Sequence, residues 1–163
     1  METKLIKTDE EINALVSLAD EIWHEAFSSL LTVSQINYML DKFLSAEAVK
    51  ESVKTGYEYY FLRDEDQILG FTAICPKEDG TLFLSKLYIK KEYRGKGYLK
   101  SSFDFLKDYA KSKELKCIWL TVNKHNDRAI AAYKKMGMDI IRSEITDIGS
   151  GFVMDDYVFS LGI

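Results

Sequence analysis

Apolar positions in the first third of the chain recur every three or four residues. Ile12, Leu15, Ala19, Ile22 and Ala26 fall on one helical face, and Thr8 followed by Glu11 has the spacing of a capping box that would start that helix. Ile36, Met39, Leu40 and Phe43 predict a second helix ending near Ser45, which would cap a short third one carrying Val49 and Val53 up to Gly56. From Tyr57 the period drops to two. Strands are predicted over 57–63, 68–75 and 81–90, separated by the charged turn 63–66 and by Pro76 with the turn 77–80. Turns this short join the three strands as an antiparallel meander.

Beyond residue 90 strand and helix alternate. A glycine-rich turn at 94–97 leads into a helix with Leu99, Phe103, Leu106 and Ala110 on one face, and the apolar run 117–122 follows. A strand reached through a helix is most simply parallel to the strand before it, by a right-handed crossover. Asn126 then has the position of an N-cap, Ala129, Ala132, Tyr133 and Met136 share a helical face, and Gly137 stands at C′. Two last strands, 138–146 and 152–161, flank a hairpin turn at 148–151. The expected class is α/β: a mixed sheet flanked by helices, in a single domain over 1–163, since no linker or repeat interrupts the pattern.

Composition narrows the function. Of 163 residues 47% are hydrophobic and 29% charged, with nine Gly and one Pro, which suits a folded chain and not a disordered one. The net charge of −4 speaks against a grip on phosphate backbones, so nucleic acid is not an expected partner. The longest uncharged stretch, 26–40, is broken by Ser, Thr, Gln and Asn and falls short of the roughly 20 apolar residues of a membrane span. Met1 is not followed by an apolar leader, so a cytoplasmic location is expected. Cys75 and Cys117 lie in separate apolar runs and read as two buried thiols; no metal site is expected.

The segment from Leu87, Tyr88 and Ile89 through Arg94, Gly95, Lys96, Gly97, Tyr98 and Leu99 joins a strand end to a helix start. Glycines there let backbone N–H groups approach a ligand, and with the helix dipole they form an anion site suited to a pyrophosphate. A glycine-rich turn with no ligand is the plain alternative. Neither nucleotide motif fits: the one Gly-Lys step, Gly95-Lys96, has no Gly five residues ahead and no Ser or Thr after it. A dinucleotide fingerprint would need Gly at Lys100 and an acid where the chain has Thr121-Val122-Asn123.

These residues resemble the GCN5-related N-acetyltransferase (GNAT) family, whose signature is Gln/Arg-x-x-Gly-x-Gly/Ala. Arg94 and Gly97 fill the first and fourth places, and Leu99 departs from the last. The run 122–126 followed by 129–138 is similar to the family's second motif, in which an Asn opens the helix and a Tyr faces the cofactor thiol; here these are Asn126 and Tyr133. The segments 23–43, 84–88 and 147–157 look similar to a bacterial branch that includes polyamine (spermidine/spermine) N-acetyltransferases.

The resemblance implies that strands 81–90 and 117–122 splay apart around acetyl-CoA. Pantetheine would pair with the backbone of Leu87, Tyr88 and Ile89. The N–H groups of Arg94 to Leu99 would hold pyrophosphate, with Lys96 and Lys135 at the rim. It also implies Tyr133 as the acid that protonates the leaving thiolate; by position alone Tyr133 reads as a core aromatic. The reaction so implied is direct acetyl transfer to a primary amine, a polyamine first. A protein or peptide amine, or a non-catalytic acyl-CoA sensor, is the alternative. A homodimer is compatible with all of this.

An amine of pKa near 10.4 must shed a proton, at a cost of about 4–5 kcal/mol near neutrality. A base or water chain is therefore expected. His24 and Glu25 at the end of the first helix, and Asp155 or Asp156 opening the last strand, are the candidates; adjacent strand residues face opposite ways, so at most one of those two faces the site. Glu21, Asp41 and Glu47 could line an acidic mouth, and Tyr57, Tyr59 and Tyr60 could contact a cationic amine. Solvated helix charges and ordinary strand aromatics are the plainer readings of these.

Overall fold

The computed structural model describes all of residues 1–163. The chain runs β1 (Glu2–Leu5), α1 (Asp9–Phe27), α2 (Val33–Leu44), α3 (Ala46–Lys54), β2 (Glu58–Asp64), β3 (Gln67–Pro76) and β4 (Thr81–Ile89). After a 3-10 turn at Lys91–Tyr93 come α4 (Tyr98–Ser112), β5 (Cys117–Asn123), α5 (Asp127–Lys135), β6 (Asp139–Gly149) and β7 (Phe152–Gly162). The strands form one seven-stranded mixed sheet in the order β1-β2-β3-β4-β5-β7-β6, with β4 and β5 parallel. This is the α/β class read from the sequence. No helix is long and apolar enough to cross a membrane.

Two compact units divide the chain, one made of residues 1–75 and 86–102, the other of 76–85 and 103–163. In the first, α1 starts as its sequence dictates. Glu11 N–H donates to Thr8 Oγ1 at 3.1 Å and Thr8 N–H donates to Glu11 Oε1 at 3.0 Å, so two donors the helix leaves orphaned satisfy each other's residues. Thr32 and Ser45 cap α2 and α3 through their hydroxyls. Leu15, Ala19, Val49, Leu62, Leu69 and Phe71 are fully buried, each large apolar side chain contributing about 1.5–3 kcal/mol by leaving water. β1 was not legible, because Glu-Thr-Lys-Leu carries one apolar residue; it forms by pairing antiparallel with β2.

In the second unit, β7 pairs antiparallel with β5 and with β6. Leu82, Ile118, Leu120, Val158 and Phe159 from the strands and Phe103, Leu106 and Ala110 from α4 make its core. The expected four-residue turn at 148–151 is tighter, since β6 continues to Gly149 and the reversal is made by Ser150 and Gly151, both at positive φ. That is the turn whose twist matches a hairpin.

Candidate active site

Burial along β4 alternates through Leu82 and Leu84 and then resumes one residue late at Leu87 and Ile89. That slip marks a bulge at Ser85 and Lys86. The bulged stretch is anchored in the first unit by Thr72 Oγ1, which donates to the Lys86 carbonyl at 2.7 Å, and by Lys90 N–H, which donates to the Leu69 carbonyl at 2.8 Å. In the second unit the parallel ladder spans three pairs, Thr81 with Cys117, Leu82 with Ile118 and Phe83 with Trp119, while β5 runs on to Asn123. Residues 120–123 are therefore paired through β7 alone.

Side chains of the predicted pantetheine segment are used in packing. Tyr88 meets Trp23, Phe27 and Phe71 with ring centroids 5.6–6.0 Å apart, and Leu87 and Ile89 are buried. Whatever this segment offers a ligand, it offers through its backbone.

Arg94 is held on three sides. Its guanidinium bonds Glu25 through Nη1 at 2.5 Å and Nη2 at 3.2 Å, and its Nε donates to the Ile89 carbonyl at 3.0 Å. Its backbone N–H donates to the Lys91 carbonyl, so Arg94 drops out of the expected set of anion-binding amides and instead fixes the strand end to the loop. Glu25, so engaged, is likewise removed from the candidates for a base. Gly95 and Gly97 both have positive φ, and a Cβ on either would meet nothing within 4 Å. The first helical bond of α4 joins Ser101 N–H to the Gly97 carbonyl, which leaves the Tyr98 and Leu99 amides without an intrahelical acceptor. An open cradle ending in unclaimed N–H groups at a helix N-terminus fits a pyrophosphate. Lys96 stands at the loop over the Tyr93 ring, 5.8 Å from its centroid. Tyr98 donates to Asp64 at 2.6 Å, and Leu99 is the second residue of α4.

In the second unit Asn126 caps α5 by accepting from Ala129 N–H at 3.2 Å. Tyr133 lies on α5 between Phe103 and Phe159, at centroid distances of 6.2 and 5.9 Å. Burial pushes its phenol up to about 12, away from the balance with a thiol that an unperturbed phenol would give. Lys135 is exposed at the end of the same helix.

Asp156 is 6% exposed and faces Asn123 of β5 and Glu144 of β6. Burial, and then the nearby Asp155 and Glu144, push its carboxyl up to about 6 against the pull of Lys124. Asp155 takes the other side and forms an ion pair with Lys124 at 2.9 Å. Among the remaining acids and aromatics weighed from sequence, His24 pairs with Asp20, Glu21 with Lys90, and Tyr59 is buried in the core. Gly70, which sequence reasoning passed over, packs against the Tyr88 carbonyl.

A family model described as "Acetyltransferase (GNAT) family" matches residues 14–138. Among solved structures, the PaiA N-acetyltransferase of Thermoplasma acidophilum in complex with coenzyme A superposes with a TM-score of 0.79 at 19% identity over the whole of both chains. An acetyltransferase of the GNAT family from Staphylococcus aureus gives 0.72 at 16% identity over 99% of each chain. The ribosomal-protein-S18-alanine N-acetyltransferase of Escherichia coli gives 0.69 at 15% identity, covering 99% of this chain and 93% of its own. Identities this low speak for a shared fold.

Proposed function

Because the chain belongs to the GNAT family of acetyltransferases, we propose that it moves an acetyl group from acetyl-CoA directly to a primary amine, with a polyamine as the first acceptor class. The observation that carries this reading is the loop at 95–99: two positive-φ glycines around open space, ending in unclaimed helix amides. That acetyl-CoA is the donor draws support from the relative solved with coenzyme A.

Acetyl-CoA supplies an acyl group activated as a thioester. The amides of residues 95–99 would take the pyrophosphate, with Lys96 and Lys135 adding charge from the rim. The backbone of Leu87, Tyr88 and Ile89 would pair with pantetheine amides, and the Ile89 N–H is suited to an oxyanion. Arg94, bonded to the Ile89 carbonyl, fixes the next peptide, Ile89–Lys90, at the strand end. Asn126 can cap α5 and still offer a polar atom to the ligand. Tyr133 holds its proton at every working pH and so always presents a donor to the departing sulfur. Full transfer to a thiolate of ordinary pKa runs uphill by about 3–4 units, roughly 4–5 kcal/mol, so that proton moves late, as charge gathers on sulfur.

A peptide or protein amine is the second reading, favoured by the likeness to the ribosomal-protein-S18-alanine enzyme. The test is release of free thiol from acetyl-CoA in the presence of spermidine, lysine and a peptide with an amino-terminal alanine. Thiol release with spermidine supports the first class and release with the peptide alone the second. Binding of acetyl-CoA without turnover on any amine would mark an acyl-CoA sensor.

A further inference from the structure

The acid and the base of amine acetylation must work on opposite sides of the acyl carbon, one at the departing sulfur and the other at the incoming nitrogen. In the second unit, Tyr133 packs on Phe159, so α5 covers the face of β7 to which Phe159 points. Asp156 lies three positions earlier on a strand whose pairing with β5 is regular, and so points to the opposite face. It occupies the rung of Asn123, at the far end of the β5 segment that β4 leaves unpaired. That face also carries Thr121, Trp119 and Phe83, the last two stacked at 4.3 Å, and all three remain half-exposed. A nearly buried carboxyl thus stands on the sheet face opposite α5, two positions from the fully buried Val158, and its side chain has no salt bridge: the Lys124 ammonium is held by Asp155, and Arg142 bonds Glu144.

Resting on the acetyltransferase reading, we propose that Asp156 is the general base that deprotonates the acceptor amine. Asp156 takes one proton from the acceptor ammonium and later returns it to solvent. The freed nitrogen lone pair forms the C–N bond as the C–S bond breaks with its electron pair going to sulfur. The nitrogen loses its second proton to solvent, and sulfur receives one from Tyr133, which reloads from solvent; one proton is released per amide formed. The groups facing Asp156 are Glu144 from β6, Asn123 and Lys124 from β5 and the turn after it, and Asp155 beside it. Two acids and burial outweigh the single lysine, which leaves a carboxylate able to accept a proton near neutrality.

The test uses Asp156→Asn in the whole chain, with the amine that the wild-type protein acetylates best among spermidine, lysine and an alanine-leading peptide. Wild-type kcat/KM should rise through pH 6 and level off. The variant should bind acetyl-CoA within about twofold of wild type and lose about 100-fold or more in kcat/KM at pH 7. Its remaining rate should climb tenfold per pH unit toward 10, following the neutral amine. In the ligand-free protein, the 13C signal of the Asp156 carboxyl should titrate with a midpoint near 6. A variant with wild-type rate and pH profile, or a carboxyl midpoint near 4, overturns the inference while leaving the transferase standing. A wild-type protein that turns over no amine removes the transferase and this role together.

Discussion

A Cβ on Gly70 would stand 1.9 Å from the carbonyl oxygen of Tyr88 and 2.9 Å from its carbon. β4 leaves its regular course just before Tyr88, and the bulged backbone swings over β3 at the one position with no side chain. Because the obstacle is backbone and not a flexible side-chain tip, Gly70→Ala should force β4 to shift, at a cost of about 2–4 kcal/mol. Thermal melting and acetyl-CoA titration check this together. The expected result is a lower Tm and a weaker cofactor affinity; an unchanged affinity would detach the bulge from ligand binding.

The paired Arg94 and Glu25 side chains are only 23% and 32% exposed, so the bidentate bond is a charge-assisted one in a partly dry setting. Glu25→Ala leaves Arg94 without its counterion and frees the peptide at Ile89 to move. We expect about 1–3 kcal/mol of lost stability and a fall in kcat/KM for acetyl-CoA of roughly 10-fold. Glu25→Gln, which keeps one hydrogen bond, should recover part of both. If Glu25 itself were the base, Gln would be as inactive as Ala.

Helix starts were legible because their chemistry is local: Thr8 with Glu11, Ser45 and Asn126 each name a cap within four residues. Strands β2 to β7 were legible from period and turns, β6 running three residues further than expected. β1 was not, since Glu2–Leu5 exists as a strand only by pairing with β2. The glycine turn at 94–97 could be placed from sequence, yet the use of Arg94 could not: its partner lies 69 positions away. The same holds for Gly70 and Tyr88. Sequence reasoning put both Asp155 and Asp156 forward; only burial and register separate the one tied to Lys124 from the one beside Asn123.

Tyr133→Phe removes a hydroxyl and leaves the ring contacts with Phe103 and Phe159 in place. A group that helps only as sulfur departs should lower kcat by about 10–100-fold while the acetyl-CoA dissociation constant stays within twofold. Stability should not fall, because Tyr133 is half-buried and its hydroxyl has no hydrogen-bond partner in the protein to lose. Equal turnover in variant and wild type would return Tyr133 to the core.

Gly97→Val tests the cradle. Gly97 has φ of +87°, a conformation costly to a β-branched residue, and the space around its Cβ is open. Valine would put methyl groups into that space and strain the start of α4. Acetyl-CoA affinity should drop by at least about 100-fold, read by calorimetry, in a protein whose circular dichroism is unchanged. Retained affinity would mean that the phosphates lie elsewhere.

The charge state of Asp156 should also be visible in stability alone. Its carboxyl titrates near 6 in the folded chain against the ordinary 3.8, so folding favours its protonated form. The associated stability is fully present below about 3.8 and is lost as pH rises through 6, which leaves the native state carrying a cost of about 1–3 kcal/mol above pH 7. Asp156→Asn removes that cost. The variant should exceed wild type in urea midpoint at pH 7.5, and the gap should close as pH falls from 6.5 toward 4. A carboxyl that costs stability when charged and takes up a proton near pH 6 has the protonation behaviour a proton-accepting role requires. A gap that stays constant from pH 4 to 8 would show that the carboxyl does not titrate in this range, and the stability argument for a base at this position would fall with it.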